Sequence, residues 1–579
     1  MKKNLLIILF LSLSLSLFAK SGNSTQIIKS GHWVYDELEA LCMESKTDFF
    51  FETQPMTIGE MLFYFRKIPY EKLTENGQKT WEKVKAFLTK NEDFFPEEEL
   101  RLFGNVKVNP EFYYKSNSDI DWSFDYYVKD FFITIPLIIG FSDYVTIEPD
   151  FIIGKNQPSM AKPDNFTNIV YSGDHFEFLF PRFAYGATGR AFDKWGFNFY
   201  AAKEGLQIYN TQLGSIISNR TFETDFYASL NLYTEYLKYS MHVAQVDNTK
   251  FLYLHQVNMR PFRWLKVGVL EGSLLNAPFE LRYLNPFMLM HQFGSWEQYG
   301  HLLTENEDKY YGEGRFCAYF GLMFEVLPFT NFKLYGMFAQ NEILDLGGSR
   351  SDQALSVPDS IGFQLGMQYN INLKDNGVIK TYLEGIYTSP YLYVKQSPEW
   401  SLYRTRDNMQ TSGYTNTWIG SPFGPDCFAV TLKADYDSQK KWQAGVAYLF
   451  SIHGENSAES LFSKKTDIKN IKEVTYIDDE GNEKTINIED VEKIYSYYPY
   501  TQYKLAESDD DRIAARDKGR YMWMTGNCIY KHQIKLSGTY SFLDNLSVYG
   551  QGVYTIQIYN SNVIQGIELA CGVEYKIFN

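Results

Sequence analysis

Apolar and polar side chains take turns along the C-terminal quarter of the chain. From Gln533 to Phe542, Ile534, Leu536, Tyr540 and Phe542 fall on one side, and Gln533, Lys535, Ser537, Thr539 and Ser541 on the other. Leu546 to Tyr559 sets Leu546, Val548, Tyr554, Ile556 and Ile558 against Ser547, Gln551, Thr555 and Gln557. Phe428 to Asp437 sets Phe428, Val430, Leu432 and Tyr436 against Thr431, Lys433, Asp435 and Asp437, and the final run sets Ile567, Leu569, Val573, Tyr575 and Ile577 against Glu568, Glu574 and Lys576. A period of two is the mark of strands with two unlike faces. Segments of about ten residues, apolar outward and polar inward, are what a membrane barrel needs. A soluble β-sandwich also alternates, but it rarely sets Lys, Glu and Asp against so many exposed aromatics.

The start of the chain follows a different period. From Gly31 to Leu100 apolar residues recur at helical spacing, with Val34, Leu38, Leu41 and Cys42 on one face and Trp81, Val84, Phe87 and Leu88 on another. Thr57 and Glu60 have capping-box spacing, so Thr57 opens a helix that Pro69 ends. The pattern predicts three or four short packed helices, with Phe94 to Leu100 leading out of them. Ahead of them, two lysines, an apolar run from Leu5 to Leu11 and a Ser/Leu stretch closing on Ala19 read as a secretory signal peptide. The division is therefore 1–19 signal peptide, 20–104 periplasmic helical bundle and 105–579 barrel. Together these give an all-β transmembrane barrel of about 18 antiparallel strands, with 16–18 accommodated, behind a small N-terminal bundle.

Composition agrees with this class. Aromatics make up 17% of the residues, with 45 Tyr and 45 Phe, a density suited to interfacial girdles. The mean hydropathy of −0.32 and the short apolar runs leave no transmembrane helix. Five scattered cysteines, Cys42, Cys317, Cys427, Cys528 and Cys571, make neither a disulfide framework nor a metal cluster. A net charge of −15 argues against nucleic acid as a partner.

Strand direction places the loops. With the last strand ending in the periplasm near Phe578, the turn at Phe542 to Asn545 is periplasmic and the segment from Ile452 to Arg520 is extracellular. That segment holds 11 Lys and Arg against 16 Asp and Glu, the composition of a solvated loop. Within it, Val474 to Ile488 has two β-branched runs around Asp478 to Asn482 and reads as a protruding hairpin.

A search for chemistry returns little. Eight histidines stand singly, with no zinc-type spacing, no nucleophile elbow, no phosphate-cradling glycine loop and no Cys-x-x-Cys. No catalytic residue, metal or cofactor is assigned, and the chain is read as a non-enzyme.

Two blocks stand out instead. "HQVNMRPFRWLKVGVLEG", His255 to Gly272, carries Arg260-Pro261, Trp264, Gly268 and Glu271. "ELRYLNPFMLMHQ", Glu280 to Gln292, carries Tyr283-Leu284-Asn285-Pro286 and His291. Further on come "KTYLEGIYTSPYLYV", around Glu384 and Tyr391, and "WIGSPFGPDCFAVTL", with Gly420 and Gly424-Pro425-Asp426. In order and spacing these blocks resemble the Wzi-type capsule assembly proteins of bacterial outer membranes. The helical start "HWVYDELEAL" is also similar to that family's periplasmic bundle, while the stretch Glu204 to Ile217 keeps only Leu213-Gly214-Ser215 of the family's turn. The resemblance implies an outer-membrane barrel of about 18 strands with a helical bundle at its periplasmic mouth. It further implies a lectin-like role holding capsular or other surface polysaccharide, with membrane lipid and the barrel-assembly machinery as further partners. A porin or substrate-specific channel is the alternative.

Within the two blocks, Arg260, Arg263 and Glu271 are expected to form an inward charged network, with Arg282, Asn285 and His291 sealing or lining the interior. A strand should end near Gly272, with a turn about Asn276 to Pro278. An irregular or short helical stretch should follow through Leu284 to Gln292, because Pro286 cannot donate to a ladder.

Overall fold

The computed structural model describes residues 24–90, 100–287, 290, 316–342, 360–455, 473–477, 483–487 and 523–577, apart from short gaps at 122, 124–128, 157–158, 161, 163, 172–173, 175, 223, 225, 248–249, 374–376, 396–400 and 409–412. The signal-peptide stretch, the linker from Phe94 to Glu99, His291 and most of the charged loop lie outside the described residues.

Antiparallel strands close into one barrel of 18. Strand β1 comes in three pieces, Leu100–Gly104, Lys107–Val108 and Glu111–Lys115. Then follow β2 Ile133–Phe141, β3 Val145–Lys155, β4 Phe176–Ala191, β5 Trp195–Lys203, β6 Phe226–Thr234 and β7 Leu237–Asp247. Next come β8 Lys250–Phe262, β9 Leu265–Asn276, β10 Phe316–Val326, β11 Phe332–Glu342, β12 Ser360–Asn372 and β13 Val378–Thr388. The last five are β14 Cys427–Asp437, β15 Trp442–His453, β16 Ile529–Leu543, β17 Leu546–Tyr559 and β18 Asn562–Lys576. Strand β18 returns to β1, pairing Tyr575 with Val108 and Leu569 with Tyr114. The barrel therefore begins at Leu100, a few residues before the division drawn at 104, because Leu100–Gly104 already pairs with Leu137–Phe141.

The alternation read in the sequence is the alternation of the wall. Ile534, Leu536, Tyr540, Phe542, Leu432, Ile567, Leu569 and Tyr575 are all exposed on the outside. Their polar neighbours face a lumen.

The two rims are unlike. Connections on the rim where β18 ends are short turns, such as 142–144, 235–236, 263–264 and 544–545. On the other rim most are long, including 156–175, 204–225, 277–315, 389–426 and 454–528, with 248–249 and 560–561 the short exceptions. The last of these contains a paired hairpin, Glu473–Ile477 with Glu483–Asn487, at the expected place.

The N-terminal piece folds into α1 Trp33–Ser45, α2 Ile58–Phe65 and α3 Glu75–Thr89, with a single 3-10 turn at Tyr70–Lys72. Thr57 caps α2, its hydroxyl accepting from the Glu60 amide at 3.2 Å. The other half of the capping box does not form, because the Glu60 carboxylate is turned onto the barrel wall. Helix α2 ends at Phe65, ahead of Pro69. The bundle seats on the short-turn rim: the Asp48 amide donates to the Arg263 carbonyl at 2.8 Å and the Asn331 amide to the Met43 carbonyl at 3.0 Å.

Candidate functional site in the barrel lumen

The helical bundle meets the wall through charge. On β7, β8, β9, β11 and β13 the inward positions Lys238, Arg260, Lys266, Lys333 and Lys380 point at it, each delivered to the lumen by strand alternation. Lys238 Nζ lies 2.6 Å from Glu60 Oε1, and both side chains are only 1% exposed. Asn198 donates to the other Glu60 oxygen at 2.7 Å. Lys266 Nζ reaches Asp48 Oδ1 at 3.1 Å, Glu52 Oε2 at 2.9 Å and Glu325 Oε2 at 3.5 Å, and also donates to the Phe49 carbonyl at 2.8 Å. Arg260 donates to the Asp48 carbonyl and to Glu235, both at 2.8 Å, with its guanidinium 4.5 Å over the Phe49 ring. Lys333 pairs with Glu39, and Lys380 lies 3.8 Å from Glu37.

In these contacts the wall supplies mostly cations and the bundle mostly carboxylates; Lys29 with Asp150 and Lys67 with Glu235 run the other way. Burial pushes the Asp48 carboxyl above its ordinary range, and the Lys266 ammonium opposes that rise. Packing at this seat is incomplete. One small cavity of about 40 Å³ lies between Asp36, Asp48, Glu52 and Tyr209 on one side and Lys266, Glu325 and Lys333 on the other. A second, of about 20 Å³, lies between Glu37, Glu44 and Thr80 and the wall residues Asn370, Lys380 and Gln439.

The opposite half of the lumen is filled from the long-loop rim, and here the contacts are apolar. Segment 204–224 turns inward and buries Leu206, Ile208, Leu213, Ile216, Ile217 and Phe222 against Leu254, Leu270, Leu274, Met337, Ala339 and Ile386 of the wall. Its turn is held by Glu384, whose carboxylate accepts from the amides of Leu213 at 2.8 Å and Gln212 at 3.0 Å, from Gln364 at 2.8 Å, and from the Tyr335 hydroxyl. Gly214 has φ +82°, and a Cβ there would fall 2.7 Å from the Pro422 ring. Segment 389–426 locks over it. The Tyr393 hydroxyl donates to the Ile216 carbonyl at 2.6 Å and accepts from Ser421 N at 2.9 Å, and Asn219 N donates to the Ile419 carbonyl at 2.7 Å.

The two fillings touch at mid-lumen. Thr53–Gln54 pairs with Gln207–Ile208, and Tyr209 N donates to the Glu52 carbonyl at 3.0 Å. Segments of the chain therefore enter the lumen from both rims and meet there, packed against β5 to β13, while the inward Lys433 and Asp435 of β14 stay about a third exposed.

Of the six residues singled out in the sequence, His291 lies outside the described residues, and of the other five Arg260 is the one placed in the lumen. Arg263 sits in the turn between β8 and β9 with its side chain exposed, and only its carbonyl meets the bundle. Glu271 pairs in register with His255 on the outward face, opposite to Arg260, because five residues of β9 separate it from the inward Lys266. Arg282 and Asn285 lie on a segment folded over the outside of the wall, where Arg282 donates to Glu280 at 3.1 Å and Asn285 accepts from Phe287 N at 3.1 Å. Among the described residues, Arg260 and Glu271 therefore stand on opposite faces of the wall, and Arg282 and Asn285 lie on its outside. Strand β9 also runs on to Asn276 rather than ending near Gly272, with Lys250 to Tyr253 continuing the ladder, and a 3-10 turn follows at Leu281–Leu284.

The lumen residues that carry the site were Lys238, Lys266, Lys333, Glu384 and their partners on the bundle. Each of these lysines stands beside an outward-facing or turn residue in an alternating strand, which is the signal that would have exposed it. Glu384 stood in a quoted block, but its task was not legible until segment 204–224 was seen in the lumen.

A closed antiparallel barrel with an apolar, aromatic exterior, short turns on one rim and long loops on the other is the architecture of outer-membrane β-barrel proteins. No family model and no curated protein matches the sequence. Among solved structures, the chain is similar to Wzi of Escherichia coli, described as an outer-membrane protein involved in group 1 capsule assembly and a carbohydrate-binding β-barrel. The two are 10% identical, with a TM-score of 0.53, covering 94% of this chain and 98% of that one. OprD of Pseudomonas aeruginosa matches at 9% identity and TM-score 0.37, covering 82% and 95%, and the channel DcaP of Acinetobacter baumannii at 8% and 0.32, covering 84% and 100%. At these identities the likeness is one of fold.

Proposed function

We propose that this protein is a non-enzymatic outer-membrane barrel that binds or anchors surface polysaccharide and assists its assembly at the cell surface. The short-turn rim and its helical bundle then face the periplasm, as short turns do in barrels of this kind, and the long loops face outward. The observation that supports the reading is the doubly filled lumen: a barrel whose two halves are occupied by its own segments is built to present loops rather than to pass solutes. The likeness in fold to a carbohydrate-binding barrel points the same way, as do the motif blocks. Extracellular loops with aromatic, Asn and acidic side chains suit sugar rings, which offer apolar faces and hydroxyl edges. Insertion would depend on the barrel-assembly machinery.

Deletion of the gene tests this. Cell-attached polysaccharide should fall, with polymer released into the medium, and return on complementation; unchanged attachment would sink the proposal.

A channel is the second reading. What favours it is the polar, cavity-flanked seat of the bundle, which is what a displaceable plug would have.

A further inference from the structure

The block "RYLNPF" is not part of the lumen, and its position suggests another task. Residues 277–287 leave the top of β9 and fold down the outside of the wall. Side-chain parity fixes the side. On β8, Gln256, Asn258 and Arg260 reach the bundle, so Tyr253 and His255 point away from the lumen. On β9, Lys266, Leu270 and Leu274 are inward, so Glu271, Ser273 and Leu275 are outward.

The segment covers these outward positions. Tyr283 packs on Tyr253 with ring centroids 5.2 Å apart, and its carbonyl lies 3.0 Å from His255 Nε2. Glu280 N donates to the Tyr253 hydroxyl at 2.8 Å, and Leu275, Ala277 and Met290 complete a small buried cluster. His255 and Ser273 are shielded by protein although they stand on the face that lipid would otherwise meet, where polar groups are costly.

The other side of the strap is bare. Phe287 is 93% and Leu281 73% exposed, the two most exposed large apolar side chains among the described residues, while the half-exposed Phe279 packs on the Phe251 and Tyr253 rings. The strap's backbone is partly satisfied on its own: Asn285 N donates to the Arg282 carbonyl at 3.2 Å, and Phe287 N to Asn285 Oδ1. Arg282 and Glu280 of the same strap form a charged pair at 3.1 Å.

We propose that residues 277–287 are an interfacial membrane anchor, with Leu281 and Phe287 entering the acyl edge of the adjoining leaflet while Arg282 and Glu280 stay at headgroup depth. The apolar surface that would be unfavourable on a solvated loop is continuous with the lipid-facing wall beneath it, and irregular backbone is tolerated there because it lies against protein and near the interface. The inference rests on the barrel being in a membrane and not on what the loops bind, so it can fail while the polysaccharide reading stands.

The test is to place tryptophan on the strap of the full-length protein, as Phe287→Trp and separately Leu281→Trp, positions exposed enough to leave the fold intact. The emission added over the parent is measured in phosphatidylcholine vesicles with plain or brominated acyl chains, and with iodide in the water. Quenching by bromine at least about twofold stronger than in the parent, at either position, together with weak iodide quenching, is the expected result. Added emission that iodide quenches and bromine leaves unchanged at both positions overturns the proposal.

Discussion

The two halves of the lumen are filled by opposite means. Near the long-loop rim, segment 204–224 is held as a protein core is held, with Ile216 and Ile217 fully buried among Leu270, Leu274 and Met337 and the turn carbonyls and amides claimed by Tyr393, Gln364 and Glu384. At the short-turn rim the bundle is held by ion pairs from wall lysines to bundle carboxylates, with two cavities between the surfaces. Apolar packing is indifferent to what the partner is charged with. A seat of buried ion pairs is specific in register but contributes little net stability, since desolvation offsets most of the attraction. The upper filling is thus packed as part of the barrel's core, whereas the bundle is matched to its position chiefly by charge, with Tyr233 of β6 joining Phe63 and Tyr64 as an apolar contact.

The largest effect should come from breaking the lower seat at its centre. Lys266→Met leaves Asp48, Glu52 and Glu325 buried without their cation, and about 3–5 kcal/mol of docking should be lost. Hydrogen exchange in α1 and α2 would accelerate while residues 206–222 stay protected; equal acceleration in both would erase the distinction. Ile217→Ala should show the converse. Removing a buried aliphatic side chain costs about 2–5 kcal/mol, and the loosening should be confined to 204–224 and 389–426.

A smaller effect follows from His32, which caps α1 by accepting from the Val34 amide at 3.4 Å. Burial, then the nearby Lys576 and Lys29, lower its pKa to about 4. The unfolded bundle would bind a proton that the folded one refuses, so the stability His32 contributes is present above its ordinary pKa near 6.5 and is lost as pH falls from there toward 4. About 1–2 kcal/mol of bundle stability should disappear across that window, measured by thermal melting of the bundle's helical signal, and His32→Asn, which keeps a capping oxygen, should flatten the dependence. Least of all, Lys79→Ala on the exposed face of α3 removes only an i,i+4 pair with Glu75 at 3.0 Å and should change stability by no more than about 0.5 kcal/mol.

Much of this architecture was legible in the residues. Period-two alternation in Gln533–Phe542 and Leu546–Tyr559 gave the wall and its outward face, because lipid on one side and a polar lumen on the other leave no other pattern. The helices of the bundle and the Thr57 cap followed from local spacing. What did not follow was anything decided by distance in sequence. Glu60 has the spacing to complete its own capping box, yet Lys238, far along the chain, outbids the local amide. Arg260 and Glu271 look like partners, but one residue of parity puts them on opposite faces of the wall. Segment 204–224 offered only its Leu213-Gly214-Ser215 remnant of a family turn, and that does not say that it turns inward.

A lumen entered from both rims by the chain's own segments should leave the barrel presenting loops instead of passing solute. Single-channel recording of the purified full-length protein in planar bilayers at neutral pH tests it most directly. No steady conductance is expected, with any openings brief and small, and none restored by Ile217→Ala or Lys266→Met alone. Large, steady single-channel steps from the unmodified protein would contradict it and favour a channel.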